Sequence, residues 1–378
     1  MKKIISLTLA IIMILTLGLT ACNNTNGADS TETTTTQAQE ESTESSAATS
    51  DDTTVSSTEC TTEKPSGGDV ADIDGNLNIN VMVLNGTTGF GMAQLIDKSA
   101  NDLSLLNYNF TVEKDASNIV AALVNGTADI AALPTNAAAN LFNKNKSVQM
   151  LAVNTLGVLY LITGEGVTVN SIADLEGKTV YCPAQNPTFI FSYICTENGL
   201  INGKNITIDN TYTAPADLNA ALSSGAVDIA VLPEPMVTIA KNKNSSLKVA
   251  LDLTAEWNKV APEGSLMQGC VVVRKEFAAA HPNEVATFLS EYEASVNFVK
   301  ESPASAGKMI EAREIFSSGA VAAKAIPNCN LCFISGEDMK PLLDEFYQIL
   351  YSVAPQSIGN SVPTADFYYD SDLYYVVK

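Results

Sequence analysis

Apolar and polar positions divide the chain into three regimes. Ile4 to Leu19 is an almost unbroken apolar run behind Met1-Lys2-Lys3. From Asn23 to about Asp72 the chain is mainly Thr, Ser, Glu, Asp and Ala, and no aromatic residue occurs before Phe90. From Asn78 onward, short apolar runs alternate with helical stripes. Asn78–Leu84 reads as a strand, Asn85-Gly-Thr-Thr-Gly-Phe-Gly91 as a turn, and Met92, Leu95 and Ile96 as one face of a helix. The same order returns at Lys178–Cys182, Pro183–Thr188, then Phe189, Phe191 and Ile194. Further strands are expected at Val148–Thr155, Gly157–Ile162, Leu247–Leu251 and Cys270–Val273. Late in the chain, Val285, Phe288, Leu289, Tyr292 and Val296 make one helical stripe, and Leu342, Leu343, Phe346 and Leu350 another.

One pattern occurs twice. Gly126-Thr-Ala-Asp-Ile-Ala-Ala-Leu-Pro-Thr-Asn136 is echoed by Gly225-Ala-Val-Asp-Ile-Ala-Val-Leu-Pro-Glu-Pro235. The copies start roughly 100 positions apart, the length of one small domain. Each reads as helix, strand, helix: Gly stops a helix at C′, Asp-Ile-Ala-x-Leu is a short buried strand, and Pro presets φ near the next helix start. A duplicated α/β unit implies two similar lobes with a ligand held between them. After each Leu-Pro the chain runs through a further strand and crosses over, so the second lobe is inserted in the first and the two crossings form a hinge. The expected boundaries are residues 75–156 for the first part of lobe I, 157–262 for lobe II, and 263–378 for the return to lobe I with C-terminal helices.

Charge narrows the class of partner. The chain carries a net charge of −21, a field that repels phosphate backbones, and it contains no basic patch, so nucleic-acid binding is excluded. Arg274 and Arg313 are its arginines, so an anionic ligand would be met mainly by backbone N–H groups, hydroxyls and helix N-termini. His281 lies in Ala-Ala-His-Pro-Asn-Glu-Val at a helix start and reads as a surface residue. As the lone histidine it leaves no His-based triad or multi-His zinc site, and no metal or cofactor is expected. Cys182, Cys195 and Cys270 sit in apolar surroundings and read as buried thiols. Cys329 and Cys332 have C-x-x-C spacing without a second pair, which reads as a local disulfide or two unpaired thiols rather than a redox centre. The aromatic tail Phe367–Tyr375 is expected to pack onto the first lobe.

The N-terminal regimes describe export. A basic start followed by an apolar run is a signal peptide, here residues 1–21, and the run is shorter than the roughly 20 residues a membrane span needs. Leu19-Thr-Ala-Cys22 resembles the lipobox of bacterial lipoproteins, which implies cleavage before Cys22 and lipidation of its thiol. Several acyl chains would hold the protein stably at the outer face of the membrane. Residues 22–74 cannot bury enough apolar surface to fold and are expected to be a tether, with a reach of about 40 Å for roughly 50 residues.

The two matched loops of each half are the candidate ligand contacts. The first half offers Thr87, Thr88 and Phe90, with Thr135 and Asn136 after the first Leu-Pro. The second half offers Gln185, Asn186 and Thr188, with Glu234 after the second. Asn154 and Thr155 lie at the first crossing. A glycine-rich strand-to-helix turn gathers backbone N–H groups, but its spacing is not that of a dinucleotide fingerprint. Phe90, Tyr160, Phe189, Tyr212 and Trp257 are all candidates to stack on a solute. Thr135 stands where a helix N-cap is wanted. Glu234 holds the matching place, either serving the helix dipole or accepting hydrogen bonds from a ligand amine, amidine or ring N–H.

Taken together, Asn85-Gly-Thr-Thr-Gly-Phe-Gly-Met-Ala, Leu133-Pro-Thr-Asn, Asn154-Thr-Leu-Gly-Val-Leu-Tyr, Ser171-Ile-Ala-Asp-Leu-Glu-Gly-Lys, Leu232-Pro-Glu-Pro and Ala325-Ile-Pro-Asn-Cys-Asn resemble the extracytoplasmic solute-binding proteins of ABC importers. The resembled branch is the nitrate/sulfonate/taurine group, which also contains thiamine-precursor binders. The resemblance covers Asn78 to Tyr369. It implies an α/β chain of the type II periplasmic-binding-protein fold, with two lobes closing on a small solute. It also implies delivery to a permease driven by a cytoplasmic ATPase, by a protein expected to be monomeric and not an enzyme. The solute is expected to be small and organic, sulfonate- or taurine-like or heteroaromatic. A ligand-sensing surface lipoprotein, and more remotely an enzyme similar to the fungal thiamine-pyrimidine synthases, are the alternatives.

Overall fold

The structure is a computed structural model that describes residues 73–370. The expected signal peptide, Cys22, Cys60, almost all of the expected tether and the last residues of the aromatic tail lie outside the described residues.

Among the described residues, eleven strands form two sheets. The first is built from β1 (Asn78–Leu84), β2 (Asn107–Glu113), β3 (Ile130–Pro134), β4 (Val148–Thr155), β10 (Gly269–Arg274) and β11 (Leu331–Ser335), in the order β11-β4-β10-β3-β1-β2. The second is built from β5 (Leu159–Thr163), β6 (Thr179–Tyr181), β7 (Thr207–Asp209), β8 (Ile229–Pro233) and β9 (Lys248–Asp252), in the order β7-β6-β8-β5-β9. The sheets share one plan. In the first, β1 runs parallel to β2 and β3, while β10 lies antiparallel between β3 and β4. In the second, β6 runs parallel to β7 and β8, while β5 lies antiparallel between β8 and β9. The inner antiparallel strands β10 and β5 each follow a crossing, so each lobe is completed by chain arriving from the other, while β11, antiparallel to β4, adds an edge to the first sheet alone. β2, β7 and β11 were not among the expected strands; β2 does alternate Tyr108, Phe110 and Val112 with polar residues, a period-2 signal that could have marked it, whereas β7 has only three residues.

Burial on both faces explains the near-continuous apolar strands. In β10, Cys270 and Val272 join a cluster that includes Leu133, Leu161, Val231 and Trp257, whereas Val271 and Val273 join Ile79, Val81 and Phe288 on the opposite face. Val285, Phe288, Leu289, Tyr292 and Val296 of the first helical stripe are buried, as are Leu343, Phe346 and Leu350 of the second, with Leu342 only partly buried against the core. Phe367 packs on Phe142 at a ring separation of 4.8 Å, and Tyr369 N donates to Met150 O at 2.9 Å, which holds the described part of the aromatic tail on the first lobe.

Two glycines permit the crossings. A Cβ on Gly157, between β4 and β5, would overlap Thr254 Oγ1 and Leu266 Cδ2, and one on Gly269, at the start of β10, would collide with Asn154 Oδ1 and the Thr155 side chain. Without a side chain at either position the crossing segments lie against their neighbours. Gln268 fastens them: its N donates to Thr155 O at 2.9 Å and its side-chain Oε1 accepts from Val158 N at 2.8 Å.

Candidate functional site

Both copies of the repeat fold as helix, strand, helix. The helix Ala116–Asn125 ends at Gly126 (φ 73°) and the helix Pro215–Ser224 at Gly225 (φ 76°), both left-handed, and β3 and β8 follow. The next helices begin differently from the expectation. Pro134 is the N-cap of Thr135–Asn145, and Thr135, inside the helix, turns its hydroxyl away to donate to Met267 O at 2.6 Å. Thr135 is therefore not a cap. In the second copy Pro235 precedes the helix Met236–Lys243, and the Glu234 carboxylate accepts from Thr238 N and Thr238 Oγ1, each at 3.0 Å. The capping role belongs to Glu234. Burial raises its pKa, while bonds from Thr238 and Asn328 and the charge of Lys241 pull the other way.

Between the lobes lies a cavity of about 450 Å³. One wall comes from Leu84–Thr88, Ala116, Pro134, Asn136, Ala137 and Phe316, the other from Pro183–Pro187, Pro215 and Pro233–Met236, with Thr155, Val158 and Gln268 at the crossings. The walls meet where Thr87 Oγ1 donates to Glu234 O at 2.8 Å. A second contact between lobes joins Tyr160 OH to Asn328 O at 2.8 Å.

Of the expected contacts, Thr87, Thr88, Asn136, Thr155, Gln185, Asn186 and Glu234 line this cavity. Thr135, Asn154, Thr188 and Phe90 do not, for reasons of packing. Asn154 Nδ2 donates to Thr88 O at 3.1 Å and Asn154 Oδ1 accepts from Thr155 Oγ1 at 3.0 Å, so it positions two residues that do line it. Thr188 Oγ1 donates to Pro183 O and accepts from Asn210 Nδ2, both at 2.7 Å, pinning the second loop. Phe90 is fully buried and meets Phe316 edge-on at 6.0 Å.

Phe316 is the aromatic ring that faces the cavity, and nothing in the local sequence marks it. It arrives from the return segment, where Gly86 N donates to Ile315 O at 3.0 Å. The other aromatic candidates are occupied. Trp257 is fully buried with Nε1 on Ser265 Oγ at 2.8 Å, Tyr212 packs on Tyr181, and Phe189 packs against the core. Gln268 was also missed, although its place at the second crossing matches that of Asn154 and Thr155 at the first. Gln185 sits at φ 65°, ψ −128°, backbone that a residue with a Cβ enters at a cost of about 1–3 kcal/mol. This strain lies at the cavity rim.

The chemistry-bearing residues elsewhere are bound up in structure. Arg274 Nη2 pairs with Asp129 Oδ1 at 2.8 Å, and Arg313 reaches Asp97 Oδ1 through Nε at 3.0 Å and Nη2 at 2.8 Å. His281 lies by Glu284, away from the cleft. Cys329 and Cys332 are free thiols, their Sγ atoms donating to Ala325 O and Val153 O, so the local disulfide is ruled out. Burial pushes the Cys182, Cys195 and Cys332 thiols up to about 12. Among the described residues there is no His, Cys, Asp and Glu grouping that could hold a metal, and no helix long and apolar enough to cross a membrane.

Two sheets of one plan, joined by two crossings around a shared cavity, are the architecture of a type II periplasmic binding protein. Residues 106–315 match the family model of the ABC transporter, phosphonate, periplasmic substrate-binding proteins, and the chain belongs to this family. Its members are substrate-binding proteins of importers, not enzymes, and they hand a small solute to a permease. Solved structures of similar fold include an ABC transporter from Parabacteroides distasonis, with 24% identity and a TM-score of 0.66 over 77% of this chain and 98% of that one. Another is the periplasmic aliphatic sulphonate binding protein SsuA from Escherichia coli, with 12% identity and a TM-score of 0.62 over 78% of this chain and 92% of that one. A third is the periplasmic nitrate-binding protein NrtA from Synechocystis, with 13% identity and a TM-score of 0.53 over 77% and 83% respectively. At such identities the likeness is one of fold. No curated protein matches the chain.

Proposed function

We propose that this protein captures a small organic solute, sulfonate- or taurine-like or heteroaromatic, in the cavity between its lobes for delivery to the permease of an ABC importer. The observation that carries this reading is the cavity itself, about 450 Å³, walled by both lobes and bridged by the Thr87–Glu234 contact. A solute there touches both walls only when they are together, so binding favours the closed arrangement by the contacts made in that state alone. Cys22 carries the lipid that keeps the protein, as a monomer, at the outer face of the membrane, with residues 22–74 as tether.

Thermal unfolding of the full chain against taurine, alkanesulfonates, nitrate, pyrimidines and amino acids tests the solute. A compound present at 100 times its Kd adds about 2.7 kcal/mol of stability and raises the midpoint. A midpoint unmoved by the whole panel overturns the solute assignment. A hit bound equally well by Gln185→Ala and Asn136→Ala removes this cavity as its site. For the anchor, Cys22→Ser should release the protein from membranes, and retention of that variant overturns lipidation.

A further inference from the structure

Gln268 stands where the second crossing passes the cavity, and the fold fixes it on three sides. Its N donates to Thr155 O at 2.9 Å, its O accepts from Thr135 N at 3.1 Å, and its Oε1 accepts from Val158 N at 2.8 Å. The last bond settles how the carboxamide is turned. A backbone N–H can only donate, so the atom that meets Val158 N is the oxygen, and the amide nitrogen points the other way. Among the described residues Nε2 has no hydrogen-bond partner, and it is not sealed off, since Gln268 is half-buried and borders the cavity. The hinge therefore holds a donor in one orientation beside the solute space.

Val158 carries the contact onward. Glu234 N donates to Val158 O at 2.9 Å, and Glu234 O accepts from Thr87 Oγ1 at 2.8 Å, where the two walls meet. Hydrogen bonds thus run from Gln268 through Val158 and Glu234 to Thr87. Little along this run can yield. Val158 is buried and leads into β5, whose Leu159 is in register with Pro233 of β8, and a Cβ on the preceding Gly157 would overlap Thr254 Oγ1. A displacement of the Gln268 side chain is passed to Glu234 rather than absorbed.

We infer that Gln268 is a specificity and positioning residue of the solute site. Its Nε2 donates to an acceptor atom at the hinge end of the solute, and through Val158 and Glu234 that bond supports the Thr87 contact that joins the lobes. A solute without an acceptor there leaves the amide unmet and the bridge unsupported. The inference rests on the reading of this cavity as the solute site and adds a route by which occupancy reaches closure.

Gln268→Glu separates the two uses of the side chain. Its carboxylate still accepts from Val158 N, so the unfolding midpoint of the free variant should stay near that of the wild type, but an acceptor replaces the donor on the solute side. The test is titration calorimetry on the full chain with methylphosphonate, methanesulfonate, nitrate and uracil, which all carry acceptor oxygens. The probe that wild type binds most tightly should be weakened roughly 10-fold or more by Gln268→Glu. Thr87→Val should weaken it several-fold in wild type but by less than about twofold in the Gln268→Glu background, because losses within one network do not multiply. Losses that do multiply overturn the coupling. An affinity unchanged in Gln268→Glu but reduced in Gln185→Ala overturns the inference and leaves the cavity as the solute site, whereas one unchanged in both overturns the reading of the cavity as well. A fall in the midpoint of free Gln268→Glu alongside the lost affinity assigns the loss to folding and overturns the inference, as does failure of all the probes to bind.

Discussion

The two copies of the helix-strand-helix unit, residues 126–136 and 225–235, share a local structure and differ in what surrounds them. In the first copy Asp129 is buried. Its Oδ2 accepts from Asn80 N at 3.0 Å and Asn80 Nδ2 at 3.1 Å, and its Oδ1 takes the Arg274 guanidinium. Thr135 is fixed from both sides, through its hydroxyl to Met267 O and through its carbonyl, which accepts from Tyr347 OH at 3.1 Å. In the second copy the matching Asp228 is exposed, and Glu234 reaches across the cleft to Thr87 through its carbonyl. The first copy is anchored into its own lobe, and the second supplies the contact that closes the molecule. A repeated sequence therefore specified a repeated element, while anchoring and closing were assigned by whichever residues the rest of the fold brought alongside.

Breaking the anchor should have the largest effect. Asp129→Ala strips Arg274 and Asn80 of their partner and should cost about 2–3 kcal/mol, after discounting for an arginine that remains partly exposed, whereas Asp228→Ala should stay within about 0.5 kcal/mol. Urea unfolding of both variants checks this, and equal losses would erase the distinction between the copies. Next come the two glycines, where the copies should agree. Gly126→Ala and Gly225→Ala each force a Cβ into left-handed backbone with no steric overlap, and each should cost about 1–2 kcal/mol. A difference above about 1 kcal/mol between them would show that the repeat is less regular than its dihedral angles.

Smaller effects probe closure. Thr87→Val removes the hydroxyl that meets Glu234 O, and should weaken solute binding by roughly 3- to 10-fold while leaving the unfolding midpoint of the free protein nearly unchanged. Calorimetry with the best-bound solute reads the first effect and calorimetric unfolding the second. Glu234→Gln should be the mildest. The amide oxygen still accepts from Thr238 N, so the affinity for solute should stay within about twofold of wild type. Its signature is in pH. Because burial raises the carboxyl pKa in the folded state, the native protein holds that proton where the unfolded chain has lost it. Stability from this group is complete at low pH and declines as pH rises through the ordinary carboxylate range to the raised value. The variant lacks this decline, so its stability relative to wild type should grow over that window. A constant difference across pH would show that Thr238, Asn328 and Lys241 fully offset the burial.

Much of the fold could be read from local pattern. The near-continuous apolar runs at Val148–Thr155 and Cys270–Val273 are strands with both faces buried, and Asn78–Leu84 begins by alternating because one face is buried and the other only partly covered, conditions that leave a plain trace in sequence. Gly126 and Gly225 mark helix ends because few other residues adopt left-handed backbone cheaply. Where the signal was a side chain's polarity, reading was less sure. Thr135 looks like a helix cap, but it lies inside the helix and its hydroxyl is given to Met267 O. Phe90 occupies the ligand loop in sequence and the core in space, since the turn directs it under β1 and against Phe316.

The chain alone points to two α/β lobes, to where each strand-loop-helix unit lies, and to no more than two arginines that a solute could meet, because these follow from periodicity, glycine geometry and composition; that Asp129 and Asp97 hold both arginines is tertiary. Tertiary structure alone decides which wall residues face one another. Asn136, Asn186 and Phe316 line one cavity only because two crossings fold the second lobe into the first and return the chain past the opening loop. Contacts between residues so far apart in sequence leave no local pattern. They arise from the packing of whole sheets, and a single side chain carries no record of the partner that packing will bring to it.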